Sequence, residues 1–139
     1  MEVRIPRSVV ELIRAHAQET YPEECCGFLI GRDDGDVRHV TEGRRARNVH
    51  PGMREVRYTI EPRDVLKVDR EFRGEVKHIG FYHSHPDHPA RPSAFDLERA
   101  WPWYVYTILA VRNRAPAEFT AWVLTEEPRA FKEVPTAIV

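Results

Sequence analysis

The sequence predicts a single domain of the α+β or α/β class, a β-sheet with helices packed on it. Three observations predict it. The chain has 139 residues, which fits one compact domain and leaves little room for two. Helical and strand periodicities follow one another along the chain, mixed rather than segregated into halves. Apolar residues make up 42% and charged residues 31%, the balance of a chain that builds its own core.

The elements follow in order. Val9, Leu12, Ile13 and His16 recur at helical spacing, and Pro6 stands where a helix begins, so residues 7–19 are read as a helix ended by Pro22. The run 25–32 is a short apolar strand closed by the turn Asp33-Asp34-Gly35-Asp36, and 37–43 is its returning partner. Residues 44–57 carry five arginines and His50-Pro51-Gly52 and read as a loop. Val56, Tyr58 and Ile60 alternate, so a strand is expected over its end. Val65, Val68 and Phe72 share one face of a second helix, 62–73, stopped by Gly74. Residues 76–83 form a strand leading into His83-Ser84-His85-Pro86, and a proline-punctuated loop, 86–92, precedes a short helix from Ser93. The β-formers of 104–112 predict a central strand, 117–124 another, and 128–139 an edge element.

Net charge is −1, which gives no global electrostatic case for nucleic acid or an anionic membrane. Cys25 and Cys26 are adjacent, and neighbours in a strand point to opposite faces, which disfavours a disulfide between them. Two reduced thiols, no signal-peptide pattern at the N-terminus and no apolar run of membrane-span length together give the expectation of a soluble cytoplasmic protein.

The chemistry centres on His83-Ser84-His85-Pro86, six residues, then Ser93-Ala94-Phe95-Asp96. Strand side chains repeat every two residues, so both imidazoles leave one face and suit a single ion. Zinc accepts imidazole and carboxylate, and its catalytic sites take three protein ligands and keep one position for water. Asp96, on the first turn of the following helix, could be the third ligand. A water activated by zinc needs a carboxylate to move its proton, and Glu23 and Glu24 lie at a helix-to-strand corner. Ser93 is a candidate donor to the oxyanion of a tetrahedral intermediate.

Pro22, Glu24, Cys26, Gly27 and Gly31, followed by His83, His85, Pro86, Ser93 and Asp96, together resemble the JAMM (MPN-plus) metalloproteases. Asn48 and the segment Tyr58-Thr59-Ile60-Glu61-Pro62 are similar to their compact bacterial branch. The resemblance covers about residues 5–125 of one domain, 1–139. It implies a fold like that of the cytidine deaminases, a twisted mixed sheet flanked by helices. It implies one zinc ion per chain on His83, His85 and Asp96, with Glu24 as general acid/base and Ser93 as oxyanion donor. It also implies hydrolysis of an amide or isopeptide bond at the C-terminal tail of a ubiquitin-like sulfur-carrier protein. The long insertions with which relatives grip polyubiquitin are absent, which turns the substrate away from ubiquitin chains.

Simpler readings stand beside these. Ser-x-x-Asp ahead of a helix is also a capping box. Cys25 and Cys26 read as buried small apolar residues, Gly27 and Gly31 as sites of close backbone packing or a bulge, and Trp101 and Trp103 as core or rim residues. His83-Ser84-His85-Pro86-Asp87-His88 also matches the His-x-His-x-Asp-His motif of metallo-β-lactamases. That fold needs histidines well downstream, and none follows His88, so Asp87 and His88 are read as rim residues. Two function classes remain: a zinc peptidase, whose substrate tail would lie against an exposed strand edge near the site, and a non-catalytic MPN-type module that binds a ubiquitin-like protein or assembly partner.

Overall fold

A computed structural model describes residues 1–139. In chain order the elements are β1 (Glu2–Ile5), α1 (Arg7–Thr20), β2 (Cys26–Asp33), β3 (Val37–Ala46), α2 (Pro62–Glu71), β4 (Lys77–Pro86), α3 (Ala94–Arg99), β5 (Val105–Arg112), β6 (Ala115–Glu126), β7 (Arg129–Val134) and β8 (Thr136–Ile138). All eight strands belong to one mixed sheet, ordered β7-β6-β5-β4-β2-β3-β1-β8. Only Pro135 separates the two edge strands β7 and β8 in sequence. The sheet therefore rolls round until its ends approach each other, and β8 joins β1 in parallel.

The concave face packs on α1. Val9, Val10, Ile13 and Ala17 of that helix meet Leu29, Tyr82, Val105, Leu109 and Ala121 in the main core of 16 buried residues. The other face carries Phe28, Ile30, Phe81 and Tyr106 beneath Val68 of α2 and Ala100, a second core of six. At about 25 cal/mol per Å² of apolar area removed from water, these two layers are the main stabilising term. A bulge in β4 between its partners Leu29 and Ile30 sends Ile79 to the α1 face and His78 to the other. Gly31 accompanies a second bulge, against β3, where an added Cβ would lie 1.9 Å from the His39 carbonyl oxygen. Gly27 is as closely packed, against Tyr82 and the Arg44 carbonyl.

Three readings change. No strand forms over 56–60. Val56 closes a turn on the Met53 carbonyl at 3.1 Å, and beyond it the Asn48 side chain ties the chain down instead of a sheet ladder: Asn48 Oδ1 accepts from Thr59 N–H at 3.2 Å and Nδ2 donates to the Arg57 carbonyl at 2.9 Å. Strand β4 runs beyond residue 83 through both histidines to Pro86, held by parallel pairing to β5 as far as Pro86↔Val111. The tail contributes an edge strand to each end of the sheet rather than one edge element. No helix is long and apolar enough to cross a membrane.

Candidate metal centre

Strand β4 lies between β2 and β5 and is buried almost throughout. Its two-residue repeat sends Tyr82 and Ser84 towards the α1 side and His83 and His85 to the other. Ser84 Oγ accepts the Cys25 N–H at 2.8 Å and so stitches β4 to the start of β2. Because Cys26 pairs with His83 in the β2–β4 register, Glu24 comes up beside the histidines.

Helix α3 supplies the third group. Ser93 caps it: Ser93 Oγ accepts the Asp96 N–H at 3.0 Å, and Asp96 Oδ2 accepts the Ser93 N–H at 2.9 Å. The capping box is real, and the same Asp96 Oδ2 lies 3.2 Å from His83 Nε2 and 3.1 Å from His85 Nε2. The two Nε2 atoms are 3.1 Å apart. His83, His85 and Asp96 are all buried, their donor atoms within 4.8 Å of one another, and they form a group able to hold a metal ion. The capping and ligand readings of Asp96 are thus one geometry, since the cap aims the carboxylate.

Neighbours hold two of the three side chains by hydrogen bonds, His85 and Asp96, whereas His83 Nδ1 is buried without a partner and its ring is held by packing. His85 Nδ1 donates to the Pro89 carbonyl at 2.8 Å, which leaves Nε2 with its lone pair towards the centre. The Tyr58 ring stacks on His83 with centroids 4.7 Å apart. Burial lowers the His83 pKa, favouring the neutral imidazole that a metal requires, although Asp96 acts against it. For Asp96, burial would raise the pKa, but His83, His85 and the Ser93 N–H outweigh it and keep the carboxylate ionised well below the usual range.

Glu24 is 3% exposed, and its Oε1 is buried with no hydrogen-bond partner. Its main chain is clamped, N–H to the Arg54 carbonyl at 2.7 Å and carbonyl to Asn48 Nδ2 at 3.2 Å. Burial, then Asp96, pushes its carboxyl up to about 9, so at neutral pH it holds a proton; a cation beside it would act in the opposite direction. Glu23 instead turns to the surface and pairs with Arg54 at 3.2 Å. The two carboxylates, equivalent in sequence spacing, have different surroundings: Glu24 is at the site and Glu23 is a solvated ion pair.

Glu24, His85 and Ser93 line a small mouth of about 320 Å³. Ser93 Oγ accepts a bond in the cap, and its own hydroxyl proton remains available to donate. On the Asp96 side a groove of about 740 Å³ runs past Tyr58, Ile60, Leu66, Phe95 and Trp101. Its walls are the extended 58–60 segment, α2 and α3. Trp101, 64% exposed, stands on its rim, and Trp103 stacks beneath Arg38. The expected strand edge near the site is absent, because β4 is paired on both sides and the edges β7 and β8 lie at the ends of the sheet.

Asp87 accepts from Tyr21 Oη at 2.5 Å and from the Asn113 N–H at 2.8 Å, a loop anchor, and exposed His88 lines the mouth. Cys25 and Cys26 are both buried thiols without a disulfide. Sequence patterns did not single out Pro89, whose carbonyl orients His85; a main-chain acceptor leaves no residue-type signal.

Comparison with known proteins places this geometry. The family model described as prokaryotic homologs of the JAB domain matches residues 6–127. A Haloferax volcanii protein named desampylase is 37% identical over 134 residues, 94% of this chain and 89% of that one. A Mycobacterium tuberculosis protein named CysO-cysteine peptidase is 31% identical over 134 residues, 89% of this chain and 87% of that one. A solution structure of a Desulfitobacterium hafniense protein superposes with a TM-score of 0.83 at 28% identity, covering 100% of this chain and 93% of that one.

Proposed function

The chain belongs to the family of prokaryotic JAB-domain proteins, and from that premise we propose that it is a zinc metallopeptidase acting on the C-terminal tail of a ubiquitin-like sulfur-carrier protein. It hydrolyses an amide or isopeptide bond there. The observation that carries the reading is the pairing of a buried three-ligand group with a buried, unpartnered Glu24 carboxyl.

Zinc fits the donor set. Donors of a tetrahedral zinc with bonds of about 2.0–2.1 Å stand about 3.3 Å apart, and the His83, His85 and Asp96 donors are 3.1–3.2 Å apart. Two imidazoles and one carboxylate leave room for water, as in catalytic sites. Bound there, zinc would lower the pKa of water from about 15.7 to about 7 and polarise the substrate carbonyl.

The chain's own residues do the rest. Glu24 as carboxylate takes a proton from the attacking water and then hands it to the departing amine, work worth about 10²–10⁴-fold. Its burial keeps competing water away from that proton. Ser93 donates its hydroxyl to the developing oxyanion. The extended 58–60 segment and the groove beside Asp96 offer the tail an apolar track towards the ligands.

Metal analysis of the purified protein tests the centre: about one equivalent of zinc is expected, lost in His83→Ala and Asp96→Ala. Glu24→Gln should retain zinc yet lose at least about a hundredfold in cleavage of a carrier protein extended at its C-terminal glycine. Retained cleavage, or zinc below half an equivalent and indifferent to both alanine variants, overturns the reading.

A further inference from the structure

We infer that Arg91 recognises the carboxylate of the departing residue, so that this site favours release of a terminal amino acid over release of a lysine side chain. The inference rests on the peptidase reading and names the leaving group it takes.

Hydrolysis breaks the amide C–N bond, joins the water oxygen to the carbonyl carbon and gives the amine a proton from Glu24. The departing amine must therefore lie within hydrogen-bond reach of Glu24. Glu24 and Ser93 line the small mouth rather than the apolar groove, so the mouth takes the leaving group and the groove the tail. The mouth's volume is about 320 Å³, a space for something small.

Besides Glu24 itself, the carboxylates next to that mouth already have partners. Glu23 is already paired with Arg54, and Asp87 with Tyr21 and the Asn113 N–H. Arg91 lines the mouth, and its guanidinium forms no ion pair or side-chain hydrogen bond. Its backbone is nonetheless fixed. The Arg91 N–H donates to the Pro89 carbonyl at 2.8 Å, the carbonyl that also orients His85, and two residues later Ser93 is bonded to Asp96. One permanent cation is thus tethered on both sides to the metal-ligand framework.

An amino acid leaving by its α-amine carries a free carboxylate two bonds from the nitrogen, so with the amine at Glu24 the carboxylate is inside the mouth that Arg91 lines. A lysine leaving by its ε-amine carries four methylenes there, and its own carboxyl is tied up in a peptide bond. A planar guanidinium is suited to bidentate recognition of the first and has nothing to bind in the second.

The test uses a sulfur-carrier-type ubiquitin-like protein with one cysteine added after its C-terminal glycine, prepared as the free acid and as the C-terminal amide. With the zinc-loaded enzyme, kcat/KM should favour the acid by at least about tenfold. Arg91→Gln should bring the ratio close to one, and Arg91→Lys should restore part of it. A wild-type ratio near one, or a ratio unchanged in Arg91→Gln, overturns the inference. Calorimetric binding of the same pair to zinc-loaded Glu24→Gln protein separates the two proposals. Tighter binding of the acid without any wild-type hydrolysis refutes the peptidase and leaves the recognition standing; equal binding refutes the recognition.

Discussion

Asn48 is the residue whose removal most directly tests how the site is held. One half-buried side chain bonds four main-chain groups: Nδ2 donates to the carbonyls of Glu24 at 3.2 Å and Arg57 at 2.9 Å, and Oδ1 accepts from His50 at 3.1 Å and Thr59 at 3.2 Å. It thereby joins Glu24, the proposed general acid/base, to the segment that lays Tyr58 on His83. At about 1 kcal/mol net for each bond, Asn48→Ala loses about 4 kcal/mol, of which water entering a half-buried site returns part. The expected net cost is about 2–3 kcal/mol. For a domain of this size that is a fall of about 8–12 °C in Tm, read by thermal and urea unfolding of the zinc-loaded protein. Cleavage should fall more steeply than zinc content, because Glu24 is displaced while the three ligands are not tied to Asn48. Asn48→Asp keeps the two accepted bonds but turns an acceptor towards two carbonyl oxygens, so it should be at least as destabilising as alanine. A loss under about 0.5 kcal/mol for Asn48→Ala, or an aspartate variant more stable than the alanine one, would refute this account of the segment.

Other substitutions probe the remaining parts. Ser93→Ala removes the cap acceptor for Asp96 N–H, at about 1 kcal/mol of stability, and the oxyanion donor, at about 10²-fold in kcat; Ser93→Asp, which can still cap, should recover stability in urea melts but not kcat. Glu23→Gln breaks only a half-exposed pair with Arg54 and should leave kcat/KM within about threefold in the assay that Glu24→Gln abolishes. His16, bonded to Tyr82 Oη at 2.7 Å in the core, has its pKa lowered to about 4, first by burial and then by Arg45. Its neutral form therefore stabilises the fold above pH 6.5, and that contribution, about 3 kcal/mol at most, is lost as pH falls towards 4. Unfolding free energies measured between pH 4 and 7 should decline more steeply for the wild type than for His16→Gln; parallel curves would contradict it.

What the sequence made legible is what local chemistry dictates. The spacing of His83 and His85 implies a shared face because a strand repeats every two residues, and Ser-x-x-Asp implies a cap because a helix start leaves free N–H groups. Both features are present, and the cap proves to be the device that aims Asp96. The strand expected over 56–60 fails for an equally physical reason. Alternation at Val56, Tyr58 and Ile60 reports that side chains face two ways, which any extended segment does; whether a ladder forms depends on a neighbour. Here Asn48 occupies the Thr59 N–H and the Arg57 carbonyl, and a single main-chain bond, Val49 N–H to the Thr59 carbonyl, is all that remains of a ladder.

Glu23 and Glu24 mark the limit more sharply. They are the same residue type, adjacent, at the same corner, and no periodicity rule separates them. What separates them is long-range: the β2–β4 register places Cys26 beside His83, and Arg54 draws Glu23 outward while its carbonyl holds the Glu24 N–H. The rolled sheet is of the same kind, since only the pairing of β8 with β1, one residue after β7, brings its two ends near each other. The proposed ligands His83, His85 and Asp96 lie within one local strand–loop–helix unit, whereas Glu24 arrives from another part of the chain. A substitution that shifts the β2–β4 register, such as Gly27→Ala with its Cβ 2.2 Å from Tyr82 and 2.3 Å from the Arg44 carbonyl, should therefore uncouple the two. Zinc binding should outlast cleavage in that variant, and loss of both in parallel would show that the metal unit depends on the same register.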